Sequence, residues 1–356
     1  MVDLLSATTP RLLLEAELRP VQGDRFQPTG FPDLGAATYT LPNGTEKLLV
    51  ESTQSMANRL EQVCWDPARD DVVPPLDGLP YVKIDLGPYG TTSTILEFHR
   101  LNSPYLWELD GDAALHEWRE DVYRELGVAG RRARRGERAE GGGPEVPGVV
   151  DSRRLARLAL KYDPNSIVHG VFLEKIAGRY RLPRVLSAFI EATDARPAES
   201  GGVKFDRVFP EADRERGIRA DDGFTNVPFP RTEFVAQSVT AFFNIDRALL
   251  RSYGLSPEAE RLIVTLALWK IRRFLDTGLR LRTACDLECI DVRVTRPADG
   301  MLPGSDELDD LVAQAISDAR ADFASPPVTT VRVTVPDRPA RQAATAASAD
   351  QDQGSS

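Results

Sequence analysis

The stretch RLLLEAEL, from Arg11 to Leu18, alternates apolar and polar residues well enough to predict a first β-strand. Prolines and glycines follow it and mark a loop, which we assign to an insertion over residues 20–50. Much later, Pro257–Phe274 has the apolar period of a helix, and Leu279–Val294 reads as another strand. The order of strands and helices predicts an α+β domain whose helices pack largely on one face of a sheet.

Composition is ordinary for a globular protein, with 356 residues of which 42% are hydrophobic. No apolar run reaches the roughly 18 residues that a membrane-spanning helix needs. The first residues, Met1-Val-Asp-Leu-Leu5, lack the basic segment and the long apolar stretch of a secretory signal. We therefore expect a cytoplasmic protein with no membrane partner.

Charge is segregated along the chain. The formal net charge is -10, which argues against indiscriminate adhesion to nucleic acid but does not exclude a local basic groove. Between Asp151 and Arg184 the only acidic residues are Asp151, Asp163 and Glu174. The basic residues there are Arg153, Arg154, Arg157, Lys161, Lys175, Arg179, Arg181 and Arg184. This pattern predicts that the protein binds a partner through one basic face.

Motifs for catalysis are mostly missing from the sequence. It contains no phosphate-binding GxxxxGK[ST] loop, no GxGxxG, no HExxH and no GxSxG. Its only histidines are His99, His116 and His169, which leaves little material for acid-base catalysis or for a metal site. We therefore predict no metal, no cofactor and no active site of its own.

The first predicted helix, Ser52–Cys64, has Ser52 as its N-cap and places Met56 and Leu60 on one apolar face. Its polar face is either solvated or a contact surface for a ligand. The candidate residues on that face are Gln54, Ser55, Asn58 and Arg59.

A second polar cluster follows a basic helix that Asp151 caps and that runs through Lys161. Asn165, Ser166 and His169 stand where this helix gives way to an apolar segment. Their amide, hydroxyl and imidazole groups suit phosphate or ribose oxygens. The alternative is structural: an Asx turn beside a histidine whose hydrogen bonds are satisfied within the protein.

Two glycine-containing segments are predicted to be loops or hairpins. Residues 129–148 combine an arginine run with glycines and prolines, which predicts a flexible loop. Residues 195–232 include Gly201-Gly-Val-Lys204, where glycines let a backbone approach a ligand and Lys204 suits a phosphate. An ordinary exposed hairpin explains the same pattern equally well.

These clusters, in this order, resemble the backbone-subunit family of type I-U (I-G) CRISPR effector complexes, within the RAMP superfamily. The stretches that carry the resemblance are Glu51–Glu61, Tyr162–Lys175 with Ser187–Glu191, Gly201–Arg207 and Leu281–Glu288. The likeness spans about residues 10–335.

The resemblance implies a single RRM-like (ferredoxin-like) palm over residues 1–335, with the three insertions above and a disordered tail at 336–356. It also implies a subunit that oligomerises along the CRISPR guide RNA (crRNA) and presents it for pairing with target DNA. Such a subunit reads phosphate and ribose rather than base edges. The implied partners are the guide RNA, target DNA through the guide, further copies of itself, a guide-processing subunit, a large subunit and a recruited helicase-nuclease.

Carried onto this chain, the resemblance makes nine residues RNA-contact candidates. They are Gln54, Ser55, Asn58, Arg59, Asn165, Ser166, His169, Lys204 and Arg207. A different class, the RAMP-type RNA endonuclease, stays open as the alternative, with His169 or a loop aspartate such as Asp206 as the acting residue. Such a nuclease needs a second acid or base nearby, and nothing obvious pairs with His169 in the sequence.

Overall fold

The computed structural model describes residues 4–5, 8–31, 35–128, 151–176, 180–204 and 227–336. For residues 31, 200, 203–204 and 227–230 the structure describes the backbone only. The predicted flexible loop at 129–148 and the predicted disordered tail, from residue 337 onward, also lie outside the described residues.

The described chain contains both strands and helices. The strands are β1 (Arg11–Pro20), β2 (Gly30–Phe31), β3 (Gly35–Ala36), β4 (Thr38–Thr40), β5 (Glu46–Glu51), β6 (Trp65–Asp66), β7 (Asp71–Val72), β8 (Tyr81–Asp85), β9 (Thr91–Ser93), β10 (Val171–Leu173), β11 (Tyr180–Leu182), β12 (Leu186–Thr193), β13 (Arg196–Lys204), β14 (Val227–Val235), β15 (Ser238–Asp246), β16 (Leu279–Arg282), β17 (Cys285–Arg296) and β18 (Val328–Arg332). The α-helices are α1 (Thr53–Gln62), α2 (Pro104–Trp107), α3 (Ala113–Leu126), α4 (Ser152–Tyr162), α5 (Asn165–Val168), α6 (Arg247–Ser252), α7 (Pro257–Asp276) and α8 (Ser305–Asp318). The α+β prediction is confirmed.

One antiparallel sheet of seven strands organises the fold, in the order β16-β17-β1-β15-β12-β5-β4. The strand predicted at Arg11–Leu18 is confirmed, and it lies in the middle of this sheet, between β15 and β17. The route from β1 to β12 includes α1 and passes over β15, whereas the route from β15 to β17 includes α7 and passes over β1. The four central strands thus form two interlocked crossover units.

Burial alternates along the central strands, so one face of the sheet is covered. In β1, Leu12, Leu14, Ala16 and Leu18 are buried, and every second residue of β12 and β15 is buried as well. Helix α1 contacts β12, while α7 contacts β15 and β17 and lies against α8. The apolar period read in the sequence of α7 therefore corresponds to a helix packed on the sheet.

The segment at 20–50 is more than a loop. It carries four short strands, and β5 joins the main sheet beside β12, with Leu48 and Val50 fully buried. The segment at 195–232 contains the predicted hairpin: β13 pairs with β14 in register from Arg196 opposite Val235 to Lys204 opposite Val227. Residues 205–226 lie outside the described part of the chain.

The prediction of one continuous strand over Leu279–Val294 is wrong. The chain turns at Thr283 and Ala284 and forms the β16–β17 hairpin, with Ala284 at a φ of 58°. Alanine is an uncommon residue for this left-handed conformation, so neither residue at this position signals a turn.

Candidate functional site

Helix α1 has the polar face that the sequence predicts. The Ser52 hydroxyl accepts a hydrogen bond from the Ser55 backbone N–H at 3.3 Å, which caps the first turn. Gln54 is exposed, and Ser55 and Asn58 are half-buried, whereas the opposite face is buried. This cap fixes the start of the helix and therefore the position of Gln54.

Arg59, on the same helix, points to an internal ion pair. Its guanidinium lies 3.4 Å from the buried Glu51 carboxylate and donates to the backbone oxygen of Leu281. Glu51 also pairs with Arg282 of β16. Arg59 thus joins α1 to β5 and β16 and is already occupied by protein groups.

The junction after α4 turns inward. Asp163, Asn165, Ser166 and His169 are all buried, and His169 is 1% exposed. The Asp163 carboxylate accepts from the Ser166 hydroxyl at 2.8 Å and from the Asn165 backbone N–H at 3.2 Å. The apolar Ile167 and Val168, which lie between Ser166 and His169 in the chain, are also buried. The whole short helix α5 is therefore part of the interior, which places these three candidates beneath the surface.

Lys270 of α7 reaches the same junction. Its ammonium donates to Asn165 Oδ1 and lies 2.9 Å from His169 Nε2. Burial, together with the positive charges of Lys270, Arg100 and Arg184, lowers the pKa of His169 well below its ordinary value. The imidazole is therefore neutral at physiological pH.

A buried ion pair completes this group. Arg100 donates two hydrogen bonds to the Glu61 carboxylate, at 2.6 Å and 2.8 Å, and a third to the Gly170 backbone oxygen at 3.0 Å. Burial raises the pKa of the Glu61 carboxyl, and the Arg100 charge opposes that shift. Below, the buried polar cluster means the seven residues Glu61, Arg100, Asp163, Asn165, Ser166, His169 and Lys270.

Gly170 links this cluster to the surface. Its φ is 82°, and a Cβ at this position would lie 2.9 Å from the Leu182 backbone oxygen and 3.0 Å from the Arg184 nitrogen. Only glycine accommodates both the conformation and the close approach. The backbone carrying Arg184 therefore lies directly against the segment that ends in His169.

A surface groove of about 540 Å³ lies over the cluster. We call it the arginine groove. It is lined by Gln54, Phe98, His99, Arg100, Asn102, His169, Gly170, Val171, Phe172, Glu174, Arg181, Leu182, Pro183 and Arg184. The Arg181 guanidinium lies over the Phe172 ring, 4.5 Å from its centroid, and the Phe98 ring is 66% exposed. Arg184 donates to the Thr53 backbone oxygen at 3.0 Å, which ties the groove to the start of α1.

These side chains suit a single-stranded nucleic acid. Arginines attract phosphates, and exposed aromatic rings stack on bases without sequence preference. Among the described residues that line the groove, Glu174 is the one carboxylate. The groove thus brings Gln54 together with Arg181 and Arg184, two of the eight basic residues of the 151–184 segment, and His169 lies at its floor.

The uncovered face of the main sheet offers a different surface. Phe189 of β12 and Phe242 of β15 stack there with ring centroids 5.0 Å apart. Glu15 lies opposite Phe242 in register, and Glu17 and Glu191 occupy the next outward positions on their strands. Glu15 and Glu191 pair with Arg293 and Lys47, so this face carries both signs of charge. The arginine groove, with Glu174 as the one carboxylate among its described residues, is the more basic of the two surfaces.

Of the two remaining candidates, Lys204 ends β13, and its side chain is outside the description. Arg207 lies outside the described residues, as does Asp206. Lys204 and Arg207 therefore remain predicted RNA contacts. In the described ranges, no group of three or more His, Cys, Asp and Glu side chains is placed to hold a metal ion.

Sequence reasoning missed Phe98, Arg100 and Lys270. The sequence did contain a signal for Lys270, because this residue interrupts the apolar run LALWKI of a buried helix. A charged side chain at such a position needs buried polar partners. Arg181 was noted only as one of several basic residues.

The neutral state of the buried His169 predicts how folding stability depends on pH. Below about pH 6.5 the unfolded chain takes up a proton that the folded chain does not, so folding stability falls as the pH drops. His169→Gln removes this linkage. We expect the parent chain to lose up to about 1.4 kcal/mol per pH unit relative to the variant below pH 6.5, measured by urea unfolding. Parallel stability curves for the two chains would contradict a buried neutral His169.

Comparison with known proteins identifies the family. Residues 12–197, slightly more than half of the chain, match the family described as CRISPR-associated protein GSU0053 (Cas_GSU0053). No curated protein matches. No helix in the described ranges is long and apolar enough to cross a membrane.

Two solved structures are similar in outline. A chain of a CRISPR RNA-guided surveillance complex, pre-nicking, has 12% identity and a TM-score of 0.43 over 87% of each chain. Csc2 of Thermofilum pendens has 9% identity and a TM-score of 0.30 over 90% of this chain and 83% of its own. The family match alone confirms the CRISPR resemblance read from the sequence. This chain belongs to the CRISPR-associated GSU0053 family.

Proposed function

We propose that this chain is a crRNA-binding backbone subunit of a type I-U/I-G CRISPR surveillance complex. Copies of it oligomerise along the guide RNA and present the bases for pairing with target DNA. The observation that carries the proposal is the arginine groove, in which Arg181, Arg184 and the exposed Phe98 surround a groove with a single carboxylate among its described residues. Membership in a CRISPR-associated family supports it.

The fold supports the same assignment. The central strands β17-β1-β15-β12, with α1 and α7 in the crossovers, have the β-α-β-β-α-β order of an RRM-like palm. The 20–50 and 195–232 segments are then insertions into that palm. A subunit that must accept any guide sequence gains from contacts to phosphate and ribose, which carry no sequence information.

The candidate residues take two roles in this proposal. Gln54, Arg181 and Arg184 contact phosphate or ribose, and Phe98 stacks on a base. Asn165, Ser166, His169 and Arg59 position the walls, because all four are held by protein groups. Ser55 and Asn58, beside Gln54 on α1, remain predicted RNA contacts. So do Lys204, which ends β13, and Arg207, which lies outside the described residues.

We propose no catalytic role for the chain. In the endonuclease alternative His169 transfers a proton, but its Nε2 faces the Lys270 ammonium at 2.9 Å, and its Nδ1, which has no hydrogen-bond partner among the described residues, is buried. A general acid or base needs a free nitrogen within reach of the substrate. The further partners in this proposal are the guide-processing subunit, the large subunit and the recruited helicase-nuclease.

The test is binding of the purified full chain to a repeat-spacer RNA and to duplex DNA of equal length, over a salt series. We expect tighter binding to RNA, with log Kd linear in log salt and a slope of about 0.7 per phosphate contacted. The RNA should stay intact on a gel, and complexes should form a ladder of stoichiometries. Equal affinity for duplex DNA, no RNA binding at any salt, or cleaved RNA would each overturn the proposal.

A further inference from the structure

We propose that Lys270 is a positioning residue of the arginine groove, which holds His169 in the tautomer that carries its proton on Nδ1. The effect of this tautomer on RNA binding rests on the proposed function, whereas the assignment of the tautomer does not. Lys270 is 0% exposed and lies between Asn165 and His169, on a helix that does not line the groove.

The tautomer follows from the chemistry of the two atoms. An ammonium carries donors only, so at 2.9 Å the His169 Nε2 must accept the hydrogen bond from Lys270. The ring proton of a neutral imidazole then sits on Nδ1. A second proton would place an N–H against the N–H of Lys270, so this contact also opposes the charged imidazolium.

The charges around the ring come from several elements. Lys270 approaches from α7, Arg100 from the segment after β9, and Arg184 from the segment before β12. Glu61 of α1 and Asp163 after α4 are the carboxylates, and Lys270 interacts favourably with both. The neutral ring thus faces three cations and two carboxylates, and within the buried polar cluster itself Lys270 and Arg100 match Glu61 and Asp163 in number.

This balance matters for the groove because His169 forms part of its floor, next to Gly170. The Gly170 carbonyl holds Arg100, and its backbone lies against Arg184. A ring that gained a proton would add a charge under the bound phosphates. With Lys270 in place, His169 adds no charge to the floor of the groove across the physiological pH range.

Lys270→Met removes the ammonium while keeping an unbranched apolar side chain of similar length. Glu61 and Asp163 then lose a cationic neighbour, and Nε2 of His169 is free to take a proton. Burial and the charges of Arg100 and Arg184 still oppose a proton on the ring, so we expect the pKa of His169 to rise in the variant relative to the parent chain but to stay below that of an exposed histidine. Phosphate binding in the groove should favour that proton.

The first measurement needs no RNA. Long-range ¹H–¹⁵N NMR of the full chain with ¹⁵N-labelled histidine reports the tautomer, and His169→Gln assigns the signal among the three histidines. We expect the Nδ1–H form, with no titration between about pH 8 and about pH 6, and a higher pKa of this ring in Lys270→Met than in the parent chain. A parent ring protonated on Nε2, or one that titrates in this range, would overturn the proposal even if the variant fails to fold.

The second measurement is RNA affinity at the same two pH values. Between about pH 8 and about pH 6, the RNA affinity of Lys270→Met should rise by about twofold or more relative to that of the parent chain, through a proton linked to binding. His99 lines the groove in both chains and therefore does not contribute to this ratio. Lys161→Met is the matched control, since its ammonium pairs with Asp121 and Glu125 away from the groove. A flat profile for Lys270→Met would contradict the coupling. If the parent chain binds no RNA, the proposed function fails, while the NMR result still decides the tautomer.

Discussion

Glu61→Leu should lower the free energy of unfolding by about 3–5 kcal/mol, because it leaves the Arg100 guanidinium buried without its counter-ion. The pair is enclosed: Glu61 is 2% and Arg100 9% exposed, and both Glu61 oxygens accept from the guanidinium. The remaining partner of Arg100, the Gly170 carbonyl, carries no charge. Urea unfolding of the variant and the parent chain at neutral pH measures the loss.

The double variant Glu61→Leu/Arg100→Met separates burial of a lone charge from general damage to the core. Removing both charges should recover at least half of the lost stability, since a buried pair is often replaceable by apolar residues. Arg19→Ala is the surface control. Its pair with Glu288 is exposed, at 62% and 44% of the side chains, so we expect a loss below about 1 kcal/mol. A double variant as unstable as Glu61→Leu would contradict the charge argument.

Phe98→Ala combined with Arg181→Glu should weaken RNA binding by about a hundredfold. Loss of a stacking ring costs about 1–3 kcal/mol per base, and reversal of a phosphate-contacting charge adds to this, while each 1.4 kcal/mol is tenfold in affinity. Both side chains are exposed, so the free energy of unfolding should change by less than about 1 kcal/mol. Fluorescence anisotropy with single-stranded RNA at fixed salt measures the affinity.

The matched control for this pair is Tyr89→Ala combined with Arg19→Glu. It removes a 60% exposed ring and reverses an exposed arginine, neither of which lines the groove. We expect less than a threefold change in affinity. Comparable losses in the two double variants would mean that overall charge, rather than the arginine groove, determines binding.

The local signals in the sequence were strong enough to predict the elements that carry the site. Ser52 and Asp151 were predicted as N-caps, and both caps are present at the starts of α1 and α4. A cap followed by an apolar period depends on neighbours within a few residues. The β1 strand was predictable for the same reason, through its alternation.

Local sequence signals could not predict that the Asp163–His169 segment faces the interior of the protein. A polar run after a helix resembles a solvated turn, and only burial among other elements shows that it faces inward. Its decisive partner, Lys270, is 101 residues from His169 and comes from a helix on the covered side of the sheet. Placement of the exposed Phe98 beside Arg181 likewise depends on the packing of distant segments.

The position of β1 at the centre of the sheet also determines how the protein must assemble during synthesis. Its two neighbours, β15 and β17, end at Asp246 and Arg296, so β1 emerges from the ribosome long before either can pair with it. Until then, both backbone edges of the strand and its row of leucines are exposed. Such non-local pairing is slow and vulnerable to aggregation. Fragments that stop before β15 should therefore accumulate in inclusion bodies, and production of the whole chain should benefit from slow translation or added chaperones.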